Sequence, residues 1–421
     1  MKKKFIIISF DAVDTKDFET LKEYPNFKRL IENSSYSNKV ESVYPSLTYP
    51  AHVSISTGKL PNRHGIINNI KIQPNRKSPD WFWQRKDIKA TTIYDAAFKK
   101  GLRTCALLWP VTGKAKTLNI NVPEIFPNRP WENQIMVSAS NGSLFMQLKL
   151  NKLFGNLRKG IEQPYLDNFT FESFKYILSN DLADFFLIHL TDVDTQKHHF
   201  GTESKEVESA LKRHDDRLGE LFNILDKNNI FEESTIIALG DHSFKNAHSV
   251  VKLNKLFLDN GLLKVNSKGT LTSYTAYSNF CDGSSYIYLN KKDNETRFKV
   301  LNILNDFSKK NNDCIKTIYT KAEIRDFGGD KNADFMLEAK DGYYFINETL
   351  GDVIENTGSK YDKATHGYFP KEDNYKTIFI AKDKHFKKNH DLGPIHLVDE
   401  GATIFHLLNY DISLLDGKSL I

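Results

Sequence analysis

Asp11, Asp194, His198, Asp241, His242 and His366 are three carboxylates and three imidazoles, each placed directly after an apolar, strand-like run or in a loop beside one. Oxygen and nitrogen donors in that mixture suit zinc or manganese and are too rich in nitrogen for a site holding magnesium alone. The donors suffice for two divalent transition metals, with Zn2+ expected first and Mn2+ second. A hydroxyl lies in another part of the chain, in Tyr44-Pro45-Ser46-Leu47-Thr48-Tyr49-Pro50-Ala51-His52. The small-sided run from Ala51 to Thr57 reads as a helix with Pro50 in its first turn, where a missing backbone donor costs nothing. Thr48 is then expected to be cap-like. A helix N-terminus offers unpaired N–H groups to an anion, so a phosphoryl group would sit beside this hydroxyl. With two cations at hand, one to lower the hydroxyl pKa and one to stabilise the leaving oxygen, the expected chemistry is phosphoryl transfer through a phosphothreonine that water then hydrolyses.

Every one of these residues also has a purely structural reading. A threonine before a proline caps helices, Asp11 could close a turn, and the spacing of Asp194 and His198 is one helical turn. Their joint position at the ends of successive strands favours the chemical reading.

The elements that must bring them together follow from the apolar pattern. Phe5 to Phe10 is continuously apolar, as in a strand covered on both faces of a parallel sheet, and it ends at Asp11. Arg103 to Trp109, Asp184 to Leu190, Thr235 to Leu239 and Thr377 to Ala381 read the same way. Helices are expected at Pro25 to Asn33, Thr91 to Lys100 and Val398 to Leu408. The segment Val207 to Leu225 shows apolar positions recurring at three, four and seven. Strands alternating with helices predict a three-layer α/β/α fold around a mainly parallel sheet, one domain spanning 1–421. Two stretches break the pattern: 119–181, expected as an irregular insertion with a basic run near Lys149 to Lys159, and 251–358, expected as a smaller cap or inserted subdomain. In open parallel sheets ligands bind beyond the carboxyl ends of the strands, which is where the acidic and imidazole groups fall.

Composition sets outer bounds. With 40% hydrophobic and 26% charged residues the chain has the make-up of a folded globular protein. A net charge of +5 without a basic stripe gives no indication of nucleic-acid binding. Three scattered cysteines indicate neither a disulfide framework nor a cysteine zinc site, so a reducing compartment is expected. The apolar run after Met1 to Lys4 is too short for a signal peptide or a membrane span. A cytoplasmic protein without a membrane partner is expected; the pattern is silent on oligomeric state.

Ile7-Ile8-Ser9-Phe10-Asp11, Pro45 to Ser54, Thr57-Gly58-Lys59-Leu60-Pro61-Asn62-Arg63-His64-Gly65-Ile66, Asp194-Thr195-Gln196-Lys197-His198-His199-Phe200-Gly201, Asp241-His242 and Thr365-His366-Gly367-Tyr368 occur in this order. Taken together the set resembles the alkaline phosphatase superfamily, specifically its type I phosphodiesterase and nucleotide pyrophosphatase/phosphodiesterase family. The resemblance implies a hydrolase of phosphodiester or pyrophosphate bonds acting on a small phosphoester, with nucleotides as one candidate. It implies one metal on Asp194, His198 and His366, and another on Asp11, Asp241, His242 and Thr48. It makes Thr48 the nucleophile, assigns Asn69, with Asn68 as its competitor, to the phosphoryl oxygens, and matches Tyr49 to an aromatic that can stack on a base, with core packing as the equal alternative. Ser243-Phe244 replaces the common Gly-Met, and His189-Leu190-Thr191-Asp192 lacks the Glu and Pro of the animal ecto-enzymes. A phosphonoacetate hydrolase or phosphomonoesterase on the same scaffold, and a catalytically silent binding protein, stay open as alternatives.

Overall fold

The run Phe5–Phe10 forms β1, and its side chains divide between two cores. Ile6, Ile8 and Phe10 enter one and Ile7 enters the other, because successive strand residues point to opposite faces. That division explains why the strand is apolar without alternation: each face is covered by helices. The computed structural model describes residues 2–267 and 269–421. Met1, the start of the leader-like N-terminus, and Lys268, inside the expected cap, lie outside the described residues.

β2 (Ser35–Glu41), β3 (Thr104–Leu107), β4 (Ile120–Val122), β5 (Phe185–Leu190) and β6 (Thr235–Leu239) join β1 in a nine-stranded sheet among the described residues. Its order is His390–Asp391, β2, Thr377–Lys382, β6, β1, β5, β3, β4, with Ile395–His396 also on β2. β1 is parallel to both neighbours, Ile7 standing opposite Leu187 and Ile237. Only Thr377–Lys382 runs against the others, pairing antiparallel with β2 and β6. On one face pack the helices Pro25–Glu32, Tyr165–Ser179 and Lys205–Lys227; on the other pack Thr48–Thr57, Ile93–Lys99 and Leu397–Leu407. The three-layer architecture expected from the pattern is the one observed.

Local choices support this layering. The helix Pro25–Glu32 has no side-chain cap from its own Tyr24. Instead the buried Asp215 of Lys205–Lys227 accepts from the N–H groups of Asn26 and Phe27, both at 2.9 Å, placing a carboxylate at the positive end of the neighbouring helix.

The two exceptional stretches are more ordered than their sequence suggests. Segment 119–181 contributes the edge strand β4 and the helices Gln134–Asn141, Leu144–Phe154 and Tyr165–Ser179. The last of these buries Phe169, Phe174 and Ile177 in the main core, so irregularity is not its character. Segment 251–358 builds a separate antiparallel sheet, Ala276–Cys281, Ser284–Leu289, Phe335–Ala339 and Ile315–Thr320 in that order. The helix Asn294–Lys310 buries Val300 and Leu304 in the core under this sheet.

Candidate metal and phosphoryl site

Thr48 is the first residue of the helix Thr48–Thr57, and Leu47 occupies the cap position. The cap-like role expected for Thr48 is therefore corrected by one position. A capping side chain needs an N–H in the first turn to bind. Pro50 has none, and the N–H of Tyr49 is already bound by Asn69 Oδ1 at 2.9 Å. The Thr48 hydroxyl is thus released from capping, and it lies 3.1 Å from His242 Nε2.

His242 lies three residues beyond β6 and faces two carboxylates, Asp241 Oδ2 at 3.3 Å and Asp11 Oδ1 at 3.5 Å. Asp11 follows β1 and Asp241 lies two residues beyond the adjacent β6, so parallel pairing brings both to the carboxyl end of the sheet. The other oxygen of Asp241 is fixed by the N–H of Ala12 at 3.0 Å. Gly240 makes this approach possible: a Cβ there would stand 2.1 Å from Val13 O and 2.2 Å from Thr377 Oγ1.

After β5 the chain enters the helix Asp192–Phe200, where the sequence shows only a polar stretch. Asp194 and His198 are one turn apart on it, with His198 Nε2 3.6 Å from Asp194 Oδ1. His366 Nε2 lies 4.0 Å from the same oxygen. Gly367, at φ 84°, lets this loop lie against Cys281, where a Cβ would fall 1.9 Å from the carbonyl oxygen. The rings of His242 and His366 stack at 4.0 Å between centroids.

Among the described residues, ligand-capable atoms lie within 4.8 Å of one another in two groups, Asp11, Asp241 and His242, and Asp194, His242 and His366. His198 adjoins the second group, and His242 belongs to both. A cation fits here on the strength of what is missing around the donors. Asp11 Oδ1, Asp194 Oδ1 and Asp241 Oδ2 are buried with no hydrogen-bond partner, an expensive state for carboxylate oxygens. Burial and the nearby Asp11 push Asp194 up to about 8 and hold Asp241 well above the usual carboxylate range. Burial and neighbouring imidazoles hold His242 and His366 well below theirs. Crowded acids that retain protons beside neutral imidazoles are a donor set lacking its positive charge.

The remaining sequence candidates separate cleanly. Asn68 is tied into the fold, its amide donating to Phe280 O at 2.9 Å and its oxygen accepting from Ile70 N at 3.3 Å. Asn69 stands next to Thr48. Because only the amide oxygen can accept from the Tyr49 N–H, the Nδ2 donor of Asn69 is left for other work. The stacking role expected for Tyr49 is not available: its ring is fully buried, edge-on to Trp81 at 5.2 Å, and its hydroxyl donates to Glu124 at 3.1 Å. The partners that cover it come from distant parts of the chain.

Several supporting residues lay beyond sequence reasoning. His189 places Nε2 3.0 Å from Asp11 Oδ2 and Nδ1 3.3 Å from Glu124; although burial opposes its charge, these carboxylates hold it well above the usual imidazole range. A lone polar residue in the apolar strand Phe185–Leu190 was the available signal. His52 bridges Thr48 O at 2.8 Å and Ser9 Oγ at 2.9 Å, bracing the first helical turn from below. Lys197 reaches back from the Asp194 helix to Ala12 O, Asp14 and Asp17 at 2.9, 3.1 and 2.7 Å. No pattern in the sequence announces that clamp.

A family model described as type I phosphodiesterase / nucleotide pyrophosphatase matches residues 5–369. The chain belongs to this family. Among curated relatives of this family member, human ectonucleotide pyrophosphatase/phosphodiesterase family member 1 is 26% identical over 258 residues, 57% of this chain and 24% of that protein. The venom phosphodiesterase CdcPDE of Crotalus durissus collilineatus is 26% identical over 232 residues, 52% of this chain and 24% of its own length. The match thus spans about a quarter of each relative. Among solved structures, murine ectonucleotide pyrophosphatase/phosphodiesterase 5 superposes with a TM-score of 0.67 at 18% identity, over 99% of this chain and 98% of that one. An inactive variant of the murine protein in complex with AMP gives 0.68. These likenesses establish the shared fold.

Proposed function

We propose that this family member is a two-metal hydrolase of phosphodiester or pyrophosphate bonds that works through a covalent ester on Thr48. The observation that carries the reading is the Thr48 hydroxyl, excluded from helix capping and held 3.1 Å from His242 Nε2 within the carboxylate and imidazole cluster. Asp11, Asp241, His242 and Thr48 would hold one cation, and Asp194, His198 and His366 the other. When bound, such cations supply Lewis acidity that lowers the pKa of a hydroxyl and neutralises charge on phosphoryl oxygens.

The chain's own groups do the rest. Thr48 gives its hydroxyl proton to solvent as Oγ1 attacks phosphorus in line with the leaving oxygen; the new P–O bond forms as the ester or anhydride bond breaks, and the leaving group departs with the bonding pair. Asn69 Nδ2 donates to a nonbridging oxygen, where charge gathers in the transition state. His52 and the Asn69–Tyr49 hydrogen bond hold the turn so that the hydroxyl does not swing back onto the helix. Attack of water on the same phosphorus then frees Thr48 and releases the product. Nucleotides are the substrate class to test first, supported by the family's description and by the AMP bound to the murine structural neighbour.

The test is hydrolysis of an aryl phosphodiester and of a dinucleoside polyphosphate by the metal-loaded protein and by Thr48→Ala. Thr48→Ala is expected to keep both cations on the remaining carboxylates and imidazoles, the one on Asp11, Asp241 and His242 more weakly, and to lose turnover even at saturating metal; acid-quenched wild type is expected to carry the substrate phosphoryl group on the Thr48 peptide. Full activity in Thr48→Ala would overturn the reading.

A further inference from the structure

More than half of the large apolar side chains exposed by the described residues fall in the short stretch 131–161. Trp131, Ile135 and Phe145 are 75%, 75% and 85% exposed, and Leu148 and Ile161 join them. Isolated exposed hydrophobics need no explanation, but a cluster of this kind marks a surface that meets something.

The helix Leu144–Phe154 shows how the cluster is built. Met146, Leu150 and Phe154, spaced four apart, face the main core, with Leu150 fully buried. Phe145, Leu148, Lys149 and Lys152 recur at three, four and seven on the opposite side and point outward. The helix therefore has two apolar sides, and the fold uses one.

Charge identifies the occupant of the other. From Asn133 to Ile161 the chain carries Lys149, Lys152, Arg158 and Lys159 and no acidic residue. The ion pairs of this region, Lys175 with Glu172 and Glu220, leave all four out. Three of them lie along aromatic faces, Lys149 on Tyr176 at 5.2 Å, Arg158 on Phe169 at 4.6 Å and Lys159 on Tyr165 at 3.9 Å. Apolar tips flanked by cations that have no carboxylate partner among the described residues, three of them with the charged group over an aromatic ring, match an interface of hydrocarbon beneath anionic oxygens. No helix among the described residues is long and apolar enough to cross a membrane, so the contact is with a surface.

We propose that this face docks the protein on an anionic lipid bilayer, with Phe145, Leu148, Trp131 and Ile135 entering the acyl boundary and the four cations meeting headgroup phosphates. The segment that bears the face begins beside the site, since Glu124 lies 3.3 Å from His189. Docking would hold the site near the bilayer. The proposal does not depend on the reaction assigned to Thr48.

The test is flotation of the full chain with vesicles of phosphatidylcholine, with and without phosphatidylglycerol, at low and high salt. Binding is expected to the anionic vesicles and to weaken with salt. Lys149→Glu combined with Lys152→Glu is expected to weaken it about 25-fold or more, at about fivefold for each lysine removed. Phe145→Ser combined with Leu148→Ser is expected to abolish it. Both variants should keep aryl phosphodiester turnover and melt within a few degrees of the wild type, because all four residues are exposed and only Lys149 contacts a ring of the fold. Failure of the wild type to float at low salt would overturn the proposal, as would flotation unchanged in both variants. A dimer in sedimentation equilibrium that Phe145→Ser dissociates would also overturn it, since a second copy would then be what covers this face.

Discussion

Asn69 offers a perturbation that separates holding the fold from assisting the reaction, because one amide does both. Its oxygen accepts from the Tyr49 N–H at 2.9 Å, replacing a helix cap, while its nitrogen is the donor we propose for the phosphoryl group. Asn69→Asp keeps the acceptor and removes the donor. Asn69→Ala removes both. Loss of one positioned donor to developing oxyanion charge costs about 3–4 kcal/mol of transition-state stabilisation, or about 100- to 1000-fold in kcat. Loss of the cap costs about 1 kcal/mol of stability, a shift in Tm of under about 3 °C for a chain this long. Both variants should therefore lose turnover to a similar degree, and Asn69→Ala alone should melt earlier. The assay is steady-state hydrolysis of an aryl phosphodiester at matched metal content, with melting followed by circular dichroism. Wild-type kcat in Asn69→Asp would refute the reasoning, since the donor would be gone without consequence.

Metal binding should release protons: burial and Asp11 raise Asp194, and Asp194 and Asp362 raise His198 against its burial, so the pair retains at least one proton at pH 7 that a cation must displace. Affinity should rise with pH until that proton is lost, and calorimetry in buffers of different ionisation enthalpy reads the protons released. Gly240→Ala should unfold the site, as its Cβ would stand 2.1 Å from Val13 O; a loss of metal binding together with a lowered Tm checks this, and wild-type behaviour of both would contradict it. Lys197→Met should cost about 3–5 kcal/mol by leaving Asp14 and Asp17 buried together. Burial and Asp14 already raise Asp17 to about 7. In the wild type the destabilisation from that raised carboxyl accrues between its ordinary value and about pH 7; without Lys197, which lowers it, the folded-state pKa rises further, so the Tm deficit of the variant should widen as pH climbs above about 7.

What could be read in the sequence were features dictated by neighbours in the chain. Asp11, Asp241 and His242 stand where two-sided apolar runs stop, and a strand buried on both faces has only its ends for polar chemistry. The spacing of Asp194 and His198 was recognisable as one helical turn. What escaped reading depended on partners far along the chain. Thr48 is freed from capping by Asn69, and Tyr49 is closed off by Trp81 and Glu124. Lys197 gave no signal because its role is defined by the turn after β1. Segment 119–181 looked irregular for a different reason: the helix Leu144–Phe154 is apolar on its exposed side as well as its buried one, which erases the periodicity that marks a helix.

The one strand that runs against the rest of the nine-stranded sheet among the described residues has a consequence for biosynthesis. Thr377–Lys382 sits between β2 and β6, and Thr377 donates its hydroxyl to Val13 O across 364 positions of sequence. Until that strand is made, β2 has no partner joining it to the rest of the sheet and β6 presents an open ladder beside Asp241. A ribosome adding about 5–20 residues per second leaves both edges unpaired for tens of seconds. Such edges invite pairing with other chains, so chains that stop short of residue 377 should collect in aggregates, whereas full-length chains close the sheet from within.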